Sequence, residues 1–155
     1  MSHYLNQEFD FITRTKKIIE QYDSFKIDEK DKFEVTLLLN CLVGLLILPQ
    51  QNWYDSLPTD IMSQKEWGIN PEHISSIKKG ETKNVKDVAR HLRNSVAHYR
   101  FKAFDNSSDK ISSIKFEDFD TNGIKTFEAI IPLPNLRQFT NRLTDIFTNE
   151  MNRQK

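Results

Sequence analysis

The chain has 155 residues, with 22 Lys and Arg balanced by 22 Asp and Glu, 37% hydrophobic residues and 11% aromatic ones. That length suits one domain, residues 1–155, and the composition excludes a disordered chain, a collagen-like repeat and a uniformly basic nucleic-acid coat. A lone cysteine, Cys41, excludes an intramolecular disulfide and a cysteine-based zinc site, so a reducing cytoplasm is the expected compartment. The first twenty residues, interrupted by Glu8, Asp10 and Glu20, lack the apolar run of a secretory signal.

From about Tyr4 to Phe25 apolar residues recur at helical spacing. Leu5, Phe9, Ile12 and Ile19 form one stripe and Phe11, Ile18, Tyr22 and Phe25 another, predicting a long helix buried on two flanks. Asp28 is a natural N-cap for a second helix, Glu29–Leu48, which Pro49 ends. Its apolar run from Val35 to Leu48, 14 residues, falls short of the roughly 20 needed to cross a bilayer. With Asn40 near its middle, it reads as the central helix of a soluble bundle, covered on every side, and no membrane association is expected.

The pattern then breaks. Gln50 to Asn84 contains Pro58, Gly68, Pro71 and Gly80 and no sustained period, which predicts a long connection with one short helix near Glu72–Lys79 and with Trp53 and Trp67 anchoring it. A third helix follows from about Asn84 to Phe101, with Val85, Val88, Leu92, Val96 and Tyr99 on its apolar stripe. Ile114 and Phe116, then Phe127, Ala129 and Ile131, alternate on either side of Asn122-Gly123, the pattern of a β-hairpin. Leu136, Phe139, Leu143, Ile146 and Phe147 mark a final helix to about Met151. The expected fold is mainly α, a helical bundle with a β-hairpin before the C-terminal helix.

Phosphate loops, dinucleotide fingerprints and HExxH are absent, so no cofactor or metal is expected. Charge is uneven. Lys78, Lys79, Lys83, Lys86, Arg90, Arg93, Arg100 and Lys102 face only Glu81 and Asp87 in the segment 78–102, which is therefore +6 while the rest of the neutral chain is −6. Such a segment draws a polyanion, and Lys83, Lys86, Arg90, Arg100 and Lys102 are candidate RNA contacts.

The same helix carries Arg93-Asn94-Ser95-Val96-Ala97-His98. An arginine followed by a polar residue and, at four to six intervening positions, by histidine resembles the signature of the HEPN superfamily, small helical proteins that are frequently RNases. RHLRNSVAHYRF, EVTLLLNCLVGLLILP and the hairpin-plus-helix ending resemble a subfamily of stand-alone, often plasmid-borne HEPN proteins over nearly the whole chain. Tyr99 departs from that pattern, where many relatives have glycine. The resemblance implies a HEPN-like bundle, an endoribonuclease acting as a toxin or defence effector, and an antitoxin protein among its partners. A non-catalytic HEPN module, binding RNA or nucleotide or serving as a dimerising adaptor, is the alternative.

Helical geometry supplies a chemical reading of the motif. Measured from Leu92, Arg93 points about +100° and His98 about −120°, flanking the polar face, while Asn94 lies within about 40° of His98 and is expected to orient its ring. A two-fold partner would bring two arginines and two histidines into one cleft. One histidine would take the ribose 2′-hydroxyl proton, arginine would hold the charged phosphorane, and an acid would protonate the departing 5′-oxygen. The products would be a 2′,3′-cyclic phosphate and a 5′-hydroxyl, formed without metal. Arg93, His98 and Asn94 are thus the candidate catalytic residues. Without the motif, His98 would read as a histidine at a helix C-terminus and Arg93 as a surface residue. His91 lies roughly 10 Å from His98 along the axis, too far to share a zinc ion, and reads as auxiliary or structural. Cys41 reads as a small core residue.

Overall fold

Apolar residues three and four apart build four α-helices in the computed structural model, which describes residues 7–28, 31–47, 55–62, 67–105 and 111–153. These are α1, Gln7–Ser24; α2, Glu34–Ile47; α3, Val85–Ala97; and α4, Leu133–Arg153. Four strands, β1 (Ile74–Ile77), β2 (Phe101–Asp105), β3 (Ile111–Phe119) and β4 (Lys125–Pro132), form one antiparallel sheet in the order β1-β4-β3-β2. No helix among the described residues is long and apolar enough to cross a membrane.

The fold is therefore mixed α/β, which corrects the expected mainly α bundle. The hairpin is present as β3 and β4, with Ile114, Phe116, Phe127, Ala129 and Ile131 all fully buried. Each of its edges, however, carries a further short strand. Ile74–Ile77 stands where a short helix was expected; Pro71–His73 makes only a single 3-10 turn, and the chain then pairs Ile74 with Ala129 and Ile77 with Phe127. Phe101, expected at the end of the third helix, instead pairs with Phe116 on β3. These edge strands have little pattern of their own, and hydrogen bonding to an existing edge is what makes them strands.

Two helices are less covered than their composition suggests. Ile12 and Ile19 of α1 are buried, but Ile18 and Phe25 on the expected second flank are largely exposed, because α1 packs on α2 and α4 from one side. On α2, Leu38, Leu42, Leu45 and Leu46 are buried whereas Val43 and Ile47 are partly exposed. α2 begins at Glu34, so Asp28 stands in the connection ahead of it rather than at its cap. Leu48, Pro49 and Trp53 lie outside the described residues.

Close approach is set by two glycines. A Cβ on Gly44 of α2 would stand 2.5 Å from the Phe11 ring of α1. Gly68 has φ +78°, and a Cβ there would lie 2.6 Å from the Asn135 carbonyl, while the Asn135 amide donates to the Gly68 carbonyl at 2.6 Å. The neighbouring Trp67 is buried against Phe139, anchoring the connection as expected. Cys41 is buried as well, and burial pushes its thiol up to about 11, the behaviour of a core residue rather than a nucleophile.

The sheet's outer face carries a charge grid. Glu117 and Glu128 sit directly opposite one another on β3 and β4, an unfavourable pair by itself. Lys125 reaches both at 2.5 Å and Lys115 reaches them at 3.3 and 3.0 Å. Hydrogen bonds from Lys125 and then Lys115 hold the Glu128 carboxyl down at about 2. Because that value lies below the ordinary carboxylate value of 4.5, the grid's contribution to stability is complete above 4.5 and is lost as pH falls toward 2. A carboxyl-detected NMR titration is expected to show Glu128 still ionised at pH 3, and Lys125→Met is expected to return its midpoint toward 4.5.

Candidate functional site

α3 carries the motif, and its first turn is fully occupied. The Val85 and Lys86 amides donate to the carbonyls of Asp60 and Pro58, at 3.0 and 3.2 Å, and the Asp87 amide donates to the Asn84 side chain at 2.7 Å. Asn84 Nδ2 in turn donates to Asp87 Oδ2 at 2.7 Å, a reciprocal cap. With these donors used, the helix start offers no free N–H groups to an anion.

At mid-helix the buried His91 ring is held by two carboxylates. Nδ1 stands 2.8 Å from Asp118 Oδ2 on β3, and Nε2 stands 2.7 Å from Glu81 Oε2 in the connection before α3. The ring also stacks on Phe127, with centroids 4.8 Å apart and planes at 5°. Both contacts are hydrogen bonds from the ring when each nitrogen carries a proton. Arg90 pairs with Glu81 at 2.7 Å and with Asp87 at 3.3 Å, and Arg100 stands 3.6 Å from Asp118. Since the two carboxylates approach opposite ring nitrogens, they do not converge on one point. Among the described residues no group of His, Cys, Asp or Glu side chains is arranged to hold a metal.

The C-terminal end of α3 presents the motif. His98 is the C-cap, and its backbone N–H returns to the Asn94 carbonyl at 3.0 Å. Tyr99 has φ 56°, the left-handed region. Its N–H donates to the Val96 carbonyl at 3.3 Å and the Arg100 N–H to the Ser95 carbonyl at 2.8 Å, the paired bonds of a Schellman stop. Glycine fits this position without penalty, whereas a side chain there costs about 1 kcal/mol. The chain thus leaves the helix by a sharp left-handed turn into β2, with His98 and Tyr99 both exposed.

Asn94 differs from its expected role. Its Nδ2 donates to Asp118 Oδ2 at 2.9 Å, the same oxygen that faces His91, and its Oδ1 accepts from Arg93 at 3.4 Å. The amide is therefore tied to the sheet and to Arg93 rather than to the His98 ring. Ser95 reinforces this seat, its hydroxyl lying 2.8 Å from both the His91 and Glu117 carbonyls.

The basic residues divide. Lys83 Nζ donates to the carbonyls of Pro71 and Ile74 at 2.7 and 2.6 Å, Lys86 pairs with Asp55 at 3.0 Å, and Arg90 is held by Glu81 and Asp87. These three make contacts within the fold, and Lys86 sits about 18 Å along the axis from His98. Arg93, Arg100 and Lys102 lie at the motif end, where Arg100 covers the Phe119 ring at 5.1 Å and Lys102 the Phe104 ring at 5.7 Å. Charge pattern alone had joined the two groups into one patch. Sequence reading also left His91 without partners, although one signal was present: Asp118 follows Ile114 and Phe116 in the inward register of β3, and an inward carboxylate needs a donor.

Four helices thus pack with an antiparallel sheet, and Arg-Asn-x-x-x-His closes the third helix. The chain belongs to the HEPN pEK499 p136 family, whose model matches residues 1–154. No curated protein and no solved structure matches the chain.

The bridge has a measurable consequence. His91→Ala leaves Glu81 and the buried Asp118 facing each other without the ring, and it is expected to destabilise the fold by about 3 kcal/mol or more. Urea denaturation monitored by circular dichroism measures this loss.

Proposed function

We propose that the chain is a metal-independent endoribonuclease of HEPN type, a cytoplasmic toxin or defence effector that an antitoxin protein restrains. The observation that carries this reading is His98. It is exposed at the end of α3, and its ring makes no hydrogen bond among the described residues, while Arg93 and Asn94 precede it by little more than one turn. The His91 ring, by contrast, is buried between two carboxylates and closed to substrate.

The working unit in this reading is a two-fold dimer. Arg93 and His98 diverge around one helix, and the exposed Ala97 beside them lets a second copy of the same face approach. In the shared cleft one His98 removes the 2′-hydroxyl proton, and the 2′-oxygen attacks phosphorus. Arg93 donates to the non-bridging oxygens as negative charge accumulates, and the 5′-oxygen leaves with a proton from an acid, for which the partner's His98 is the candidate. Arg100 and Lys102 bind flanking phosphates without reading bases.

Incubation of purified protein with cellular RNA in excess EDTA is expected to yield fragments with 2′,3′-cyclic phosphate and 5′-hydroxyl ends. His98→Ala and Arg93→Ala are each expected to abolish cleavage with an unchanged circular dichroism spectrum. Asn94→Ala is expected to raise the barrier by only about 1 to 3 kcal/mol, the worth of a positioning hydrogen bond. RNA bound but never cut would instead identify a binding or adaptor module. The assembly is tested separately: sedimentation at micromolar concentration is expected to give a dimer, and a monomer would overturn the shared cleft.

A further inference from the structure

Tyr99 stands in a conformation that its side chain opposes. Its φ of 56° lies in the left-handed region, and the bonds around it, Tyr99 N–H to Val96 and Arg100 N–H to Ser95, would form equally well with glycine. The ring does not repay this by filling the core, since the residue is 81% exposed. Among the described residues its one aromatic contact is an edge-to-face approach to Phe101, with centroids 4.7 Å apart and planes at 62°. Phe101 is fixed in turn by pairing with Phe116 on β3. A large ring thus stands in water immediately after His98 and immediately before Arg100, with Lys102 two residues farther on. The contact with Phe101 offsets part of this strain and leaves most of the ring in water, and a strained, exposed side chain beside a candidate site is a candidate functional position.

We infer that Tyr99 is a stacking platform for a nucleobase, seating an unpaired base beside the phosphate that the 2′-oxygen attacks as His98 takes its proton. This deepens the ribonuclease reading and rests on it. Exposure of four-fifths of the residue leaves room for a base on the ring, and Arg100 and Lys102 supply cations for the adjoining phosphates. Stacking needs a base that is out of a helix, so the substrate class is single-stranded RNA, including loops and bulges. Because every base has a π-face, the platform favours unpaired over paired RNA without choosing a sequence. Tyr99 here is a binding residue, placing the substrate for groups that do the chemistry.

Glycine satisfies the backbone better than tyrosine, so Tyr99→Gly removes the ring without harming the turn. In a His98→Ala background, fluorescence anisotropy with a labelled single-stranded RNA is expected to show about tenfold weaker binding for Tyr99→Gly. Tyr99→Asn, which also tolerates the left-handed region, is expected to match it, and the melting temperature of Tyr99→Gly is expected to equal or exceed that of the parent. Tyr99→Phe and Tyr99→Trp are expected to retain affinity, and annealing the RNA to its complement is expected to abolish the difference between parent and Tyr99→Gly. Unchanged binding in both Tyr99→Gly and Tyr99→Asn would overturn the platform, as would an equal loss in Tyr99→Phe, which would point to the hydroxyl. Unchanged RNA binding together with loss of the dimer in sedimentation would overturn it in favour of a contact between copies. Cleavage by the native chain that is indifferent to Tyr99→Gly removes this inference alone. Absence of any RNA binding or cleavage by the native chain removes the ribonuclease reading with it.

Discussion

The buried His91 ring between Asp118 and Glu81 is the contact on which the orientation of α3 depends. An imidazole enclosed by apolar residues needs partners for both nitrogens, and here the two come from different parts of the chain, one from β3 and one from the connection ahead of the helix. The ring therefore ties three segments together at one point. Each of the two carboxylates also faces a cation, Glu81 the Arg90 guanidinium and Asp118 that of Arg100. Rotation of α3 about its axis would break both contacts at once, which fixes the face that the helix turns outward.

That fixed rotation has consequences one turn farther on. Asp118 Oδ2 serves Asn94 as well as His91, so the scaffold and the motif share an acceptor. Arg93 is linked to the same assembly through Asn94. The first half of the motif is accordingly anchored in the sheet, while its histidine projects from the point where helix gives way to strand. In the proposed reaction this division suits the roles: the arginine needs a fixed direction toward phosphate charge, whereas the histidine needs access to the substrate and to a proton.

The sheet also explains why the side chains of the positive segment divide between two places. Lys83 is drawn inward to carbonyls at the start of β1, and Lys86 and Arg90 find carboxylates on neighbouring segments. Lysines and arginines near the start of α3 thereby hold the long connection in place. The cations left near His98 are those that precede or enter the edge strand, where Phe104 and Phe119 support them.

Much of this was legible in the sequence. The 3.6-residue period located all four helices, since Val85, Val88, Leu92 and Val96 or Leu136, Phe139, Leu143 and Phe147 have only one way to bury together, and alternation located the hairpin in the same manner. The motif, too, was visible as spacing on one helix. What spacing could not supply was anything requiring two distant segments to meet. β1 and β2 are strands because β4 and β3 offer them unpaired edges, and Tyr99 fits the helical period of α3 although the left-handed turn there ends the helix. His91 reads as auxiliary or structural from spacing alone, but its partners lie 10 and 27 residues away, beyond what helical periodicity can name. Asn94 turned to Asp118 rather than His98 because β3 places a buried carboxylate within its reach. Local periodicity encodes which faces are buried; only the register of packed elements decides which polar groups meet, and the candidate site is made of such meetings.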